Sequence, residues 1–240
     1  MTKRKLLTKA KKRRLISWLV SAILVVSLGY LSTVVASYAN HHQAQVTTEQ
    51  AASGTALAAL GELPVKEAES GDTYERSEFS SGWASWRDCN VRQKILNRDL
   101  DNIQLGENGC TVISGTLNDP YSGRTIELTT KSAVSSKVQI DHVVALSDAW
   151  QTGAQHLSKE ERKALANDDL ELIAVSSNAN QDKSDGDASE WLPENKAFHC
   201  QYVARQIAVK RKYHLWVTTA EKDAMVNVLT SCPNEPLPSE

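Results

Sequence analysis

VQIDHVVALSDAW, residues 138–150, sets an acidic residue beside a histidine, Asp141-His142, at the end of a run that alternates as a strand does. Two titratable groups at a strand end are costly to bury unless they are paired or used. Downstream, LELIAV (170–175) reads as a second strand, and NANQDKSDGD (178–187) brings Asn180 and, three residues on, Lys183. A helix starting near Asn178 places Asn180 and Lys183 on one face of its first turns. Strand, strand and helix then bring Asp141, His142 and Asn180 to one point.

Those residue types suit one reaction. Asp and Asn offer hard oxygen ligands of the kind Mg²⁺ takes, with Mn²⁺ as the second choice. A metal so held binds a scissile phosphate and stabilises the leaving oxygen. A neighbouring histidine takes a proton from water as general base, and Lys183 is placed to neutralise phosphate charge. An Asp-His dipeptide alone is ordinarily structural; Asn180-x-x-Lys183 after a second strand is what singles this one out. Asp148, Asp182, Asp185 and Asp187 read as solvated or capping residues. His156, His199 and His214 read as loop, packing or surface groups, and Trp150 and Trp191 as core.

Working outward, NVRQKILNRDL (90–100) spaces Val91, Ile95 and Leu96 on one helical face. NIQL, GCTVISGTL and RTIELT are β-like runs separated by GENG and NDPYSG, which predicts a small antiparallel sheet. Ser158–Glu161 matches a capping box, so a helix is expected from there to about Asn167. Residues 195–213 place Phe198, Tyr202 and Ala208 at helical spacing, and Thr218–Glu221 is a second capping box opening a final helix with Met225, Val228 and Leu229. The fold class is α+β.

Charge is unevenly spread over the 240 residues. Residues 1–14 carry eight of the 27 Lys and Arg and no acid, so the remainder sets 19 basic against 29 acidic residues. The uncharged run 15–39 is long enough for a membrane span, with the basic tip on the cytoplasmic side. It reads as a signal anchor in preference to a cleaved signal peptide, although Ser37-Tyr38-Ala39 offers a small-x-small site. Either way the domain leaves the cytoplasm. Residues 40–73 read as a linker or stalk, 74–233 as the folded domain and 234–240 as a tail. Cys89, Cys110, Cys200 and Cys232 all fall in the domain with no C-x-x-C pair, which favours two disulfides in an exported protein. Of three connectivities, nearest-neighbour pairing is the simplest.

Asp141-His142 at a strand end, followed by Asn180-x-x-Lys183, resembles the HNH nuclease site with its ββα-metal core. IDHVVALSDAW, LIAVSSNANQDKSDGDASEWLP and HCQYVARQIAVK are similar to an exported bacterial HNH endonuclease family, related to the C-terminal nuclease domain of GmrSD-type restriction enzymes. The likeness extends upstream through RDCNVRQKILNRDL and SGTLNDPYSGRTIEL. It implies His142 as general base, Asp141 and Asn180 as metal ligands, and Lys183 as the basic position of the site. Many HNH sites carry a middle Asn that holds the histidine loop. Here that place falls on Glu171, or on Asn167 if the register slips.

Two function classes compete. One is a metal-dependent nuclease acting outside the cytoplasm, on DNA in preference to RNA and with no protein partner in evidence. The other is a non-catalytic, disulfide-stabilised surface module. Residues 74–240 hold 18 basic and 24 acidic residues, unlike the basic surfaces usual for nucleic-acid binders. A local patch of Lys183, Arg205, Lys210, Arg211 and Lys212 is expected to oppose that overall field.

Overall fold

The computed structural model describes residues 18–39 apart from 20, 21, 24, 28 and 37, then Thr48, then 51–239. The chain divides into two compact units, Met1–Gln43 and Ala44–Glu240. In the first, the described residues are helical, and apolar side chains such as Trp18, Ile23, Val26 and Tyr30 are exposed. Among the described residues no helix is long and apolar enough to cross a membrane. The basic tip expected at 1–14, the first residues of the expected span and most of 40–50 lie outside the described residues.

The second unit is a mixed α and β fold with small antiparallel sheets. In chain order its elements are α1 (Ala56–Glu62), β1 (Ser85–Trp86), β2 (Cys89–Asn90), α2 (Val91–Asp99), β3 (Asp101–Leu105), β4 (Val112–Asn118), β5 (Thr125–Leu128) and α3 (Lys131–Lys137). Then come β6 (Val138–His142), α4 (Leu146–Gln151), α5 (Lys159–Leu165), β7 (Leu172–Ser176), α6 (Ser177–Lys183), α7 (His199–Lys212) and α8 (Thr219–Leu229). β1 pairs with β2, β4 lies between β3 and β5, and β6 pairs with β7, all antiparallel. The three-stranded sheet is the one the β-like runs predict. Gly109 (φ 68°) and Gly123 (φ 71°) supply the left-handed backbone its two connections need.

The helix starts follow the side chains that cap them. Asn90 Oδ1 accepts from Gln93 N at 3.2 Å to open α2, and the Ser158–Glu161 box at α5 is made in both directions. The second box is only half made. Thr218 Oγ1 accepts from Glu221 N at 3.1 Å, but the Glu221 carboxylate turns inward to Lys210 at 2.8 Å.

The β6–β7 pair lies between two apolar clusters. Val138, Ile140, Leu172 and Ala174 pack with Val91, Ile95 and Leu96 of α2 and with Leu117 and Leu128 of the larger sheet. Ile173 and Val175 face the other cluster, with Tyr202, Ile207 and Met225. β7 is buried along its whole length, which is why it reads as a continuous apolar run with no alternation. The disulfides are Cys89–Cys110 and Cys200–Cys232, with Cα separations of 6.2 and 6.4 Å. This is the nearest-neighbour pairing. Loop closures of this kind stabilise by about 2–4 kcal/mol.

The stalk expected over 40–73 gives way to folded structure from Thr55 onward. Thr55 caps α1, and Ala56, Leu57, Ala59, Leu60 and Leu63 are buried in the cluster built on α7 and α8. Ala56 N donates to Glu235 O at 2.9 Å, and Leu237 N to Gly54 O at 3.1 Å, so the expected tail is tied down as well. Residues 56, 59, 60 and 63 follow the i, i+3, i+4, i+7 spacing of a helix stripe. Two of the four are alanines, so composition alone does not reveal it.

Candidate active site

Side chains alternate along a strand, so Gln139 and Asp141 leave β6 on one face while Val138 and Ile140 leave on the other. α6 follows β7 with no loop between them, Ser176 acting as last strand residue and as N-cap. The helix lies on the Gln139–Asp141 face. Asn180 Nδ2 donates to Gln139 Oε1 at 2.7 Å, and Lys183 Nζ donates to Asp141 Oδ1 at 3.1 Å. Two strand residues advance about 6.6 Å and three helix residues about 4.5 Å, so the two pairs match with only small adjustment of the side chains.

Asp141, His142 and Asn180 line one cavity of about 580 Å³, together with Gln139, Trp83 and Arg92. The three expected site residues therefore meet. Lys183 does not join them on the cavity wall. It is 2% exposed, and beyond Asp141 its ammonium donates to the carbonyl of His142 at 2.9 Å. The phosphate contact expected of Lys183 is thus corrected: Asn180 faces the cavity, and the helix turn that follows carries Lys183 beneath the strand end.

Asp141 is held from both sides. Its second oxygen accepts from Tyr121 Oη at 2.5 Å. Burial raises the Asp141 pKa, opposed by Lys183 and by the Tyr121 hydrogen bond. Tyr121 comes from the NDPYSG connection and is fully buried against Trp191, Phe198 and Tyr202. A sequence reading takes that segment as turn chemistry and misses the tyrosine; its signal is one large aromatic in an otherwise small and polar turn.

His142 Nε2 lies 3.0 Å from the carbonyl oxygen of Ala166. A carbonyl only accepts, so Nε2 carries the proton and Nδ1 is the basic atom. The Trp83 ring stacks on the imidazole, centroids 5.8 Å apart and planes within 5°. Burial pushes the imidazole pKa down to about 3, so the ring is neutral at physiological pH, with the Nδ1 lone pair free of a proton.

The loop after His142 is held by Glu171. Its carbonyl accepts from Val143 N at 2.9 Å and its Oε2 from Val144 N at 3.2 Å. Asn167 does a different job, its Oδ1 accepting from Ala84 N at 2.8 Å beside Trp83. Glu171 is fully buried, and burial raises its pKa well above the carboxylate range. Stability carried by such a group is complete below its unfolded pKa and is lost as pH rises through the folded one. Glu171→Gln retains the accepting oxygen and cannot ionise. Urea melts should show near-native stability for it with a flatter pH dependence, whereas Glu171→Ala should lose about 1–3 kcal/mol. Equal stability of the two variants would show that the side-chain bond to Val144 holds nothing.

The basic patch expected from five residues does not form as such: Lys183 and Lys210 are buried and Arg205 half-buried, while Arg211 and Lys212 are exposed but paired with acids. Arg205 donates to the carbonyls of Asp169, Leu170 and Leu172. Lys210 is buried between Asp148 (3.1 Å) and Glu221 (2.8 Å). Arg211 pairs with Glu62 at 3.1 Å and Lys212 with Asp168 at 2.7 Å. Carboxylate oxygens of Asp148, Asp187 and Glu221 lie within 4.8 Å of one another, and the Lys210 ammonium already engages two of them, Asp148 and Glu221. Trp150 and Trp191 belong to the core, as their sequence positions suggest.

Residues 90–228 match the family described as GmrSD restriction endonucleases, C-terminal domain. That span includes β6, β7 and α6 complete, and with them Asp141, His142 and Asn180. A relative in the fungus Arthroderma benhamiae, described as an uncharacterized secreted protein, is 37% identical over 180 residues, covering 74% of this chain and 85% of its own. This relative is fungal, so it does not support the bacterial source that the sequence resemblance implies. No solved structure matches. The ββα arrangement and the shared sequence agree: the chain belongs to the family of GmrSD restriction endonuclease C-terminal domains, an HNH-type nuclease family.

Proposed function

We propose that the protein is a divalent-metal-dependent endonuclease that hydrolyses phosphodiester bonds of nucleic acid, DNA in preference to RNA, outside the cytoplasm. The observation that supports this most is the lining of one cavity by Asp141, His142 and Asn180. The donor chemistry fits a hard cation, Mg²⁺ first and Mn²⁺ second. Asp141 offers a carboxylate, and Asn180, whose amide nitrogen is engaged by Gln139, offers its carbonyl oxygen. Mg²⁺ takes one or two carboxylates and keeps several waters. When bound, it supplies charge stabilisation to the phosphate and to the departing oxygen.

The protein's own groups do the rest. Ala166 keeps the Nε2 proton of His142 in place, so Nδ1 takes the proton from the attacking water. As the water oxygen bonds to phosphorus, the bond to the leaving oxygen breaks. Tyr121 and Lys183 keep Asp141 in one orientation. The two disulfides and the secreted relative favour an oxidising, extracellular setting. Residues 15–39 would serve as the export segment, cleaved or kept as an anchor.

Plasmid DNA and RNA incubated with the protein in Mg²⁺ or in EDTA test the reading, and single-turnover metal titration of variants tests the ligands. Asp141→Asn keeps the side chain's shape but loses the charge that pairs with Lys183, so, with a urea melt beside it to show that it is folded, it should need the largest excess of Mg²⁺. Asn180→Ala should shift the titration less, and both should recover in part at high metal. Undiminished cleavage in EDTA would remove the metal from the mechanism. Wild-type metal titrations in both variants would remove these ligands, and no cleavage of either substrate would return the chain to the binding-module reading.

A further inference from the structure

We infer that a single phosphodiester strand with unpaired bases leaves the active-site cavity along a trough between residues 77–85 and α5, ending at Lys159 and Lys163. The placement of the scissile bond at His142 rests on the proposed nuclease function; the trough itself is a matter of shape and charge. Three hollows adjoin one another. The catalytic cavity shares Arg76, Trp83, His142 and Leu146 with a second of about 330 Å³. The second shares Phe79, Trp83 and the serines at 77, 80 and 81 with a third of about 360 Å³, whose far wall is Lys159 and Lys163. Trp83 lines all three.

Among the described residues, the cations along this path carry no ion pair of their own. Arg76, Lys159 and Lys163 are exposed, and no described carboxylate pairs with them or with Arg92. Among the described residues Arg92 donates only to the Val138 carbonyl, at 3.0 Å. Lys159 and Lys163 stand one helical turn apart on the same side of α5. Of the residues between them, Glu160 is exposed and lines none of the three hollows, Glu161 closes the capping box, and Arg162 clamps Glu78 through its carbonyl at 3.0 Å and its carboxylate at 3.1 Å. That clamp fastens the 77–85 segment to α5 and so shapes the trough. Asp185 is an opposing acid, and it lines the first hollow only. Cations spaced along a groove, serine hydroxyls on its floor and one indole in its wall are what an unpaired strand uses, the phosphates meeting the cations and a base stacking on the ring. The acidic net charge of the domain does not oppose this, because the cations in the groove set the local field.

The double variant Lys159→Ala/Lys163→Ala tests the trough without touching the catalytic residues. Binding of fluorescein-labelled single-stranded DNA, single-stranded RNA and duplex DNA is read by anisotropy in EDTA, so no cleavage is needed. Loss of two phosphate contacts should flatten the slope of log K against log salt by about 1.4; between about 50 and about 200 mM salt the wild type should then lose about sevenfold more affinity than the variant. Hydrolysis of bis(p-nitrophenyl) phosphate, too small to reach α5, should be unchanged. DNA and RNA strands responding alike would assign the shared phosphodiester chemistry; a response from one alone would assign that sugar. An unaltered slope for both strands overturns the trough. A slope change confined to duplex DNA overturns the single-strand assignment. A flattened slope in a protein that hydrolyses no phosphodiester would leave the trough standing and overturn the nuclease reading.

Discussion

His142→Ala is expected to lower kcat by ~10²–10⁴-fold while nucleic acid still binds. Among the described residues the ring makes one hydrogen bond, from Nε2 to Ala166, which leaves Nδ1 as its basic atom. Removing it takes away an interaction made in the transition state, so kcat and kcat/KM should fall together with little change in binding. The substitution also strands the Ala166 carbonyl, at a cost of about 1–3 kcal/mol, so a urea melt belongs beside the kinetics to show that the variant is folded at assay temperature. Added Mg²⁺ should not restore the rate, in contrast to the Asp141 and Asn180 variants. Cleavage at the wild-type rate would mean that the Asp-His pair is not the catalytic centre.

What the sequence showed of this site and what it hid follow from how each residue is held. β6 and β7 announce themselves through an alternating run and a buried apolar run, and Ser176 caps α6 directly from the second strand. Asp141, His142 and Asn180 thus converge through local rules alone. Tyr121 reaches Asp141 from another sheet, a contact across 20 residues that no local pattern encodes. The helix α1 hides because a stripe half made of alanine resembles a low-complexity linker, and only its burial against α7 and α8 distinguishes the two.

The charged residues were the least legible. Lys and Arg are ordinarily placed at the surface, so Lys183, Arg205 and Lys210 read as a patch for phosphate. In the fold, each satisfies a buried carboxylate or a set of carbonyls. The cations left to face the cavity are Arg76 and Arg92, one in a short turn and one on a helix whose sequence signal is its apolar face. An acidic domain therefore places four cations without a described carboxylate partner along one groove, Arg76, Arg92, Lys159 and Lys163, while its buried lysines serve the core.

Lys183→Met is expected to destabilise the protein by about 3–5 kcal/mol, because it removes one partner of a buried ion pair and leaves the other charge uncompensated. A surface phosphate-binding lysine, as the sequence implies, would leave folding unchanged on the same substitution. Methionine nearly preserves volume, so lost packing contributes little. Most of the cost comes from Asp141, which keeps Tyr121 as donor but loses the ammonium at 3.1 Å; the His142 carbonyl, which accepts from the same ammonium at 2.9 Å, adds a smaller, pH-independent part. The pH dependence identifies the cause. Burial already raises the Asp141 pKa, and Lys183 opposes that rise, so in the variant the folded pKa climbs further. A raised carboxyl contributes stability that is complete below its unfolded pKa and is lost as pH rises through the folded value. The gap between variant and wild type should therefore be widest at neutral pH and close on acidification. Adding Asp141→Asn to Lys183→Met removes the stranded charge, so the double variant should recover much of the loss at neutral pH. Urea denaturation of the two variants across pH reads all of this. A Lys183→Met protein as stable as wild type at neutral pH, or one whose deficit is the same at every pH, would mean that the ammonium does not hold Asp141 in place.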